Sequence, residues 1–403
     1  MAMTDRKITR EAKNNKSGTY AFYNTSFSRI TSFSTRRWLT SLAGEILGSH
    51  LTNSNMFLAT RAGFNASADV NIRLQLSHLD LVLPEGSSVV TAVGHGASYW
   101  SQSGRIDVRL SSGQNESYFI KLSRTEVGKV MVEGEFESMK MLHLVSPHMV
   151  PKPIGFGTYE SDSDIHFFLC EYVDLYDELP DVVDFCRSVA ELHMNSMDHS
   201  PNSKFGFPVV TCNGTVQQHT EWNSSWEAFY IESLKKAFKL EEDVHGFSPE
   251  ISEMLPDLFE KVCPRLLRPL ETEGRNLRPC LIHGDLWDGN VAVHAKTGRP
   301  YIFDASAFWA HNEYELHIWK GTRYRIRKTF VKEYFNHFPI SPPKDDWEDR
   351  HLLYSLRADL HSSILFKQTE KFRQLLIQSL RQLVDKFPNG YEGPAARKDN
   401  TEP

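Results

Sequence analysis

C-L-I-H-G-D-L-W-D-G-N-V-A-V-H-A-K-T-G-R-P-Y-I-F-D, running from Cys280 to Asp304, holds three short apolar runs separated by Gly and polar residues. The runs are Leu281-Ile282, Val291 to Val293 and Tyr301 to Phe303. Such runs, bounded in this way, predict strands whose ends present side chains. At or just beyond those ends stand Asp285, Asn290 and Asp304. Asn290 follows Asp285 by five positions, the D-x-x-x-x-N spacing of a phosphotransferase catalytic loop. Alone, Asp285 could equally be a turn-capping residue in a strand–loop–strand unit.

Upstream, the chain turns β-rich from about Leu79. Ser87 to Val93 predicts a strand, followed by G-H-G-A-S-Y-W-S-Q-S-G, a second strand near Arg105 to Leu110, and a third from Ser117 to Leu122. Gly94 and Gly96 are candidates for a phosphate-approaching hairpin, because glycine lacks the Cβ that would hold a ligand off. They are equally plain turn residues, and a third glycine of G-x-G-x-x-G is absent. Alternation puts Phe119 and Lys121 on one strand face, so Lys121 is either a solvated strand-end lysine or a phosphate contact. The next helix, predicted over Gly128 to Val145, places Glu135, Met139 and Leu142 on one stripe. A carboxylate on an apolar stripe needs a cation, and Lys121 is the nearest candidate. Ile165 to Val173 predicts a central strand, and Glu171 to Val173 falls where the chain would cross between lobes. Glu171 and Val173 are therefore candidate nucleotide contacts through their backbone.

The order of Gly hairpin, strand Lys, helix Glu, then Asp, Asn and Asp predicts ATP-dependent phosphoryl transfer. Asp285 would be the base, Asn290 and Asp304 would hold Mg²⁺, and Lys121, set by Glu135, would meet the phosphates. In the loop itself, His283 and Trp287 are the candidate substrate-side residues. The two histidines His283 and His311 match no zinc spacing and read as orienting groups. Trp287 could stack on a sugar or pack the loop. After Asp304 the chain reads A-S-A-F-W-A-H-N-E-Y-E-L, with nothing like an activation segment ending in A-P-E. A small-molecule kinase, or one acting on small groups attached to protein, fits better than a peptide-gripping protein kinase. The Gly- and aromatic-rich stretch from Lys204 to Trp226 reads as a candidate substrate wall, although its aromatics could be core. Glu313 to Phe335 and Asp345 to Phe387 read as mainly helical.

The 403 residues allow one two-lobed unit with extensions. The expected fold is α+β, a protein-kinase-like two-lobed fold with a small β-rich N-lobe and a larger, mainly helical C-lobe. Expected boundaries are 1–75 for an N-terminal extension, 79–170 for the N-lobe, 171–388 for the C-lobe and 389–403 for a polar tail. A net charge of −6 gives no reason to expect nucleic acid or anionic membrane as partner, and no apolar run is long enough to span a bilayer. Five scattered cysteines without C-x-x-C spacing predict reduced thiols and a cytoplasmic protein. Residues 1–75, rich in Ser, Thr and Arg, read either as a mitochondrial transit segment or as a disordered extension.

These residues also resemble the fructosamine kinase (ketosamine-3-kinase) family, itself related in fold to aminoglycoside and choline kinases. The resemblance is carried by H-G-D-L-W-D-G-N at His283 to Asn290, E-G-E at Glu133 to Glu135, K-F-G-F at Lys204 to Phe207, E-W-x-x-S-W at Glu221 to Trp226, and F-W-A-H-N-E-Y-E-L at Phe308 to Leu316. It implies ATP- and Mg²⁺-dependent phosphorylation of the sugar 3-hydroxyl of ketosamines, free or on protein lysines, after which the adduct leaves and the protein is deglycated. The chain departs from the family in Asp304-Ala-Ser-Ala, where D-P-A-S is usual, and in carrying His95 rather than Cys in the phosphate loop. A kinase of a free amino alcohol or aminoglycoside, and a nucleotide-binding protein without catalysis, are the competing readings. Trp287 and the Lys204–Trp226 stretch favour the ketosamine reading over the amino alcohol.

Overall fold

The computed structural model describes residues 82–98 and 100–393. The expected extension over 1–75 and the end of the polar tail lie outside the described residues. The described residues open with strands β1 (Ser88–Ala97), β2 (Ser101–Arg109) and β3 (Asn115–Arg124), then helix α1 (Thr125–Val145), and strands β4 (Pro153–Tyr159) and β5 (Asp162–Glu171). These strands form one antiparallel sheet in the order β1-β2-β3-β5-β4. One sheet face is apolar because alternation delivers Ile106, Val108, Tyr118 and Ile120 to it, together with Ile165, Phe167 and Leu169 from β5. The other face of β3 carries Phe119 and Lys121 towards α1 and the helical part of the molecule.

The turn predicted at Gly94 and Gly96 is displaced. Both glycines lie inside β1, where the pairing with β2 slips by a residue, and the chain reverses between Ser98 and Ser101. A bulge absorbs the conformational freedom that the sequence suggests for a turn.

Beyond β5 the chain crosses to a mainly helical lobe. It contains β6 (Leu175–Tyr176), α2 (Val182–Ser196), the hairpin β7 (Cys212–Asn213) and β8 (Val216–Gln217), and α3 (Trp226–His245). Next come α4 (Pro249–Asp257), α5 (Cys263–Leu267), β9 (Cys280–Ile282), β10 (Val291–His294), β11 (Pro300–Ile302) and β12 (Phe308–Ala310). Helices α6 (Asn312–Glu315), α7 (Lys328–His337), α8 (Trp347–Leu365) and α9 (Glu370–Lys386) complete it. Local caps agree with this division: Asp181 accepts from the N–H groups of Val183 and Asp184 at the start of α2, and Ser225 caps α3. Among the described residues, no helix is long and apolar enough to cross a membrane.

Glu313 to Phe335 is mainly helical, as expected, but in pieces: α6 is followed by a 3₁₀ segment to Lys320, residues 321–327 form an irregular loop, and α7 follows. That loop is bought into the site: Tyr324 is buried and the Arg325 N–H donates to Asp288 Oδ1 at 3.0 Å. The aromatics of the Lys204–Trp226 stretch are core: Phe205, Phe207 and Trp226 are all buried, and only the β7–β8 hairpin reaches the cleft.

Helix α1 is anchored to the helical lobe by backbone contact. A Cβ on Gly134 would lie 2.6 Å from the Val210 carbonyl oxygen and 3.0 Å from Thr211 Cα, so only glycine permits this approach. Ser138, one turn on, donates to the Gly134 carbonyl at 2.6 Å and accepts from the Ala307 N–H at 2.9 Å. Gly134→Ala should therefore force helix and loop apart and destabilise the protein by about 1–3 kcal/mol, the usual range for overpacking, measured by urea unfolding. A neutral result would refute the close packing.

Candidate active site

Strand β9 is wholly buried and paired with β12, so the loop after it leaves from a rigid base. Its first turn depends on Gly284, at φ +80°, where a Cβ would meet the Ser306 carbonyl oxygen at 2.2 Å. The buried Glu315 carboxylate accepts the N–H groups of His283 and Gly284, and the His193 ring lies 3.4 Å from it. Burial pushes the Glu315 pKa up, but the His193 ring and the loop donors hold it below the usual carboxylate value. Further along, Trp319 Nε1 donates to the Leu286 carbonyl at 2.6 Å, and Asn290 Nδ2 donates to the backbone oxygen and Oδ2 of Asp285 at 2.8 and 3.1 Å. Asp285 and Asn290 are thereby fixed to one another.

The opposite wall is a three-residue charge cluster. Lys121 Nζ on β3 lies 2.7 and 2.8 Å from the two oxygens of Glu135 on α1, and 2.6 Å from Asp304 Oδ1 after β11. Burial opposes the ammonium charge, yet the two carboxylates outweigh it and raise the Lys121 pKa. Two carboxylates on one ammonium leave surplus negative charge, and Glu135 is pushed up to about 7 by burial against the pull of Lys121. Asp285 is also raised to about 7, first by burial and then by the Asp304 carboxylate. A buried carboxyl titrating near neutrality is matched to accepting a proton from a hydroxyl. Asp304 itself adopts φ +60°, a left-handed conformation that Asp tolerates better than most side chains.

Both walls face one cavity of about 270 Å³, lined by Lys121, Glu135, Asp285, Trp287, Asn290 and Asp304 among others. Val173 and Glu171 also line it, at the crossing between the lobes, with the Arg105 guanidinium 4.7 Å from the Tyr172 ring centre. The Glu171 side chain has a structural task, accepting from the Lys152 N–H and the Tyr301 hydroxyl. Gly94 and Gly96 do not line the cavity; His95 between them does, with Ser98 and Ser101 at the hairpin tip.

His283, a candidate substrate residue, is corrected. It is fully buried, lies off the cavity wall, and its Nε2 meets the Phe303 carbonyl at 3.0 Å. Burial lowers its pKa, so it acts as a neutral brace between the loop and β11. His311 is likewise internal, between Tyr354 and Ser341. Trp287 does line the cavity, but its ring is 4 % exposed, covers Gly289 and packs 5.8 Å from the Tyr324 ring. It therefore packs the loop while presenting an edge of the site.

Glu315, Arg323, Tyr324 and His361 were not foreseen. Glu315 lies within a quoted stretch, yet its role depends on which backbone N–H groups a buried carboxylate reaches. The others come from the 321–327 loop and α8, where nothing in local spacing marks them. For a metal, Asp304 and Asn290 offer two hard oxygen donors beside the cavity. That suits Mg²⁺, which keeps waters and takes phosphate oxygens rather than a full protein cage. Among the described residues, no cluster of three or more His, Cys, Asp or Glu side chains could hold a metal.

A family model described as fructosamine kinase matches residues 100–386. The chain is 28% identical over 253 residues to the chloroplastic protein-ribulosamine 3-kinase of Arabidopsis thaliana, covering 62% of this chain and 71% of that protein. It is 28% identical over 300 residues to the ketosamine-3-kinase of Mus musculus, covering 67% and 88%. Among solved structures, a Thermobifida fusca protein assigned as a fructosamine-3-kinase superposes with TM-score 0.59 at 20% identity, covering 78% of this chain and 99% of that one. An aminoglycoside phosphotransferase superposes with TM-score 0.50 at 13% identity, covering 74% and 95%. The fold is thus protein-kinase-like, with a β-sheet lobe and a helical lobe.

The Asp285 shift has a stability consequence. Its carboxyl binds a proton more tightly folded (pKa about 7) than at its ordinary value of 3.8. Its contribution is therefore intact below about pH 4 and lost as pH rises through 7. Asp285→Asn should stabilise the ligand-free protein at pH 8 by on the order of 1–3 kcal/mol, with the gain vanishing towards pH 4. Denaturant titrations at the two pH values check this, and an unchanged or lowered stability at pH 8 would contradict it.

Proposed function

The chain belongs to the fructosamine kinase family, and we propose that it uses ATP and Mg²⁺ to phosphorylate the sugar 3-hydroxyl of ketosamines. The acceptors would be ribulosamine or fructosamine adducts on protein lysines, or the small ketosamines that model them. The observation that carries this reading is the convergence of Asp285, Asn290 and Asp304 with the Lys121–Glu135 pair around one cavity. It is supported by the names of the plant and mouse relatives.

In this reading Asp285 accepts a hydrogen bond from the attacking hydroxyl and takes its proton as the O–P bond forms. Asn290 keeps the Asp285 carboxylate aimed, through the 3.1 Å bond to Oδ2. Lys121, oriented by Glu135, would turn from Asp304 to the phosphate oxygens, and Asp304 and Asn290 would hold the metal. Bound Mg²⁺ would supply charge neutralisation for the transferring phosphoryl group. Trp287, beside Asp285, gives the sugar an apolar edge to rest on. The 3-phosphorylated adduct would then lose a C1 proton and expel the 3-phosphate as inorganic phosphate, and water would hydrolyse the resulting imine, freeing the lysine amine and a deoxygenated dicarbonyl sugar. The five cysteines are free thiols, which supports the cytoplasm as the place of action.

Two measurements test the proposal. With Mg·ATP, release of ADP is expected with ribulose-lysine or fructose-lysine and not with choline or an aminoglycoside; turnover confined to the latter would sink the ketosamine reading. Asp285→Asn should lower kcat by about 10²–10⁴-fold with nucleotide affinity nearly unchanged. Wild-type kcat/KM should rise with pH through about 7, as Asp285 ionises. A flat profile, or an active Asp285→Asn enzyme, would remove Asp285 from the role of base.

A further inference from the structure

Behind Asp285 lies a recess of about 20 Å³, walled by Asp285, Gln218, His317, Tyr324, Arg357 and His361. Asp285, Tyr324 and His361 also line the main cavity, so the recess adjoins the place where the acceptor hydroxyl would lie. Its size suits one water-sized group.

Arg357, on α8, is 5 % exposed. Among the described residues, its guanidinium makes no hydrogen bond or ion pair. Arg350, two turns earlier on the same helix, shows how this fold treats a structural buried arginine. It is paired with both oxygens of Glu313 at 2.8 and 2.9 Å and capped by the carbonyls of Ser341 and Pro343. Arg357 has no such partners, and burying an uncompensated cation is costly.

Its histidine and tyrosine neighbours are neutral. Burial, aided by the Arg357 charge, holds His317 down to about 4 and His361 to about 3. Their rings meet backbone carbonyls of Tyr314 and Asn213 at 2.7 and 2.9 Å. The Tyr230 and Tyr314 phenols, which also feel Arg357, are buried and protonated. A second guanidinium, Arg323, lines the same recess and donates to Ser362 Oγ at 2.7 Å. Asp285 is the acidic group on the wall, and its Oδ2 is engaged by Asn290.

The geometry points to a monovalent-anion subsite built on Arg357, which takes the carboxylate of an acidic acceptor or a free halide ion. A phosphate, with four oxygens, exceeds a recess of one-water size, whereas a carboxylate oxygen or chloride fits, and the guanidinium fork suits either. The carboxylate arm rests on the ketosamine kinase reading; the halide arm does not.

The test uses the full chain in buffers of equal ionic strength containing chloride or methanesulfonate, whose tetrahedral head exceeds the recess. In methanesulfonate, kcat/KM is compared for the ketosamine of glycine and that of methylamine, which differ by one carboxylate. Wild type is expected to prefer the glycine adduct by roughly ten-fold, mainly through KM, or to gain about 2 °C or more in Tm from chloride over methanesulfonate. Either response should disappear in Arg357→Gln. Acceptor preference alone assigns the site to substrate, and a chloride response alone assigns it to a free ion. A wild type showing neither response, or a response undiminished in Arg357→Gln, overturns the subsite. If Arg357→Gln does not fold, Arg357→Lys, which keeps the charge and loses the fork, should show a weakened response, and an unweakened one is likewise refuting. An Arg357-dependent chloride response without turnover of any ketosamine would keep the subsite and remove the kinase reading; turnover without either response would do the reverse.

Discussion

The catalytic loop depends on one buried carboxylate. Glu315 takes the N–H groups of His283 and Gly284, two donors that would otherwise be lost inside the protein when the chain turns out of β9. An unsatisfied buried donor costs about as much as a lost hydrogen bond, so a sharp turn with two of them needs an internal acceptor. Glu315 remains an effective one because His193 and the loop donors keep its pKa low despite full burial. Where Asp285 points is thus decided by a residue 30 positions further on, outside the reach of the substrate.

The two walls of the cleft meet through charge. Lys121 is shared between Glu135 and Asp304, which ties the sheet lobe to the segment after β11 with no ligand present. The surplus negative charge of that cluster is felt at Asp285, which shares the cavity and rises towards neutrality with it. The electrostatic state of Asp285, the proposed base, is therefore set partly by the groups proposed to hold metal and phosphate. Neutralising Asp304 or drawing it onto a cation would ease the ionisation of Asp285.

Most of the architecture was legible in the chain. The apolar runs around Cys280 to Asp304 became β9, β10 and β11, and the stripe of Glu135, Met139 and Leu142 faces inward as its spacing requires. Lys121 and Glu135 could be paired from sequence because a lone carboxylate on an apolar stripe demands a cation. Gly94 and Gly96 misled because glycine serves a bulge as readily as a turn. The aromatics from Phe205 to Trp226 misled because large rings are equally at home in core and in substrate walls. His283 is adjacent to the catalytic loop in sequence, yet strand alternation and the Gly284 turn aim it inward at Phe303. Arg323, Tyr324 and Arg357 reach the cleft only through the packing of the 321–327 loop and α8, which local periodicity does not encode.

The contact of Gly134 with Val210 and Thr211 bears on how such a protein could be governed. In kinases that are switched, the helix bearing the glutamate partner of the lysine swings between two positions. Here that helix is seated backbone to backbone on the helical lobe and pinned again through Ser138 to Ala307. Two attachments one turn apart resist the swing that would carry Glu135 away from Lys121, so the ion pair that orients the lysine is braced from behind by the helical lobe.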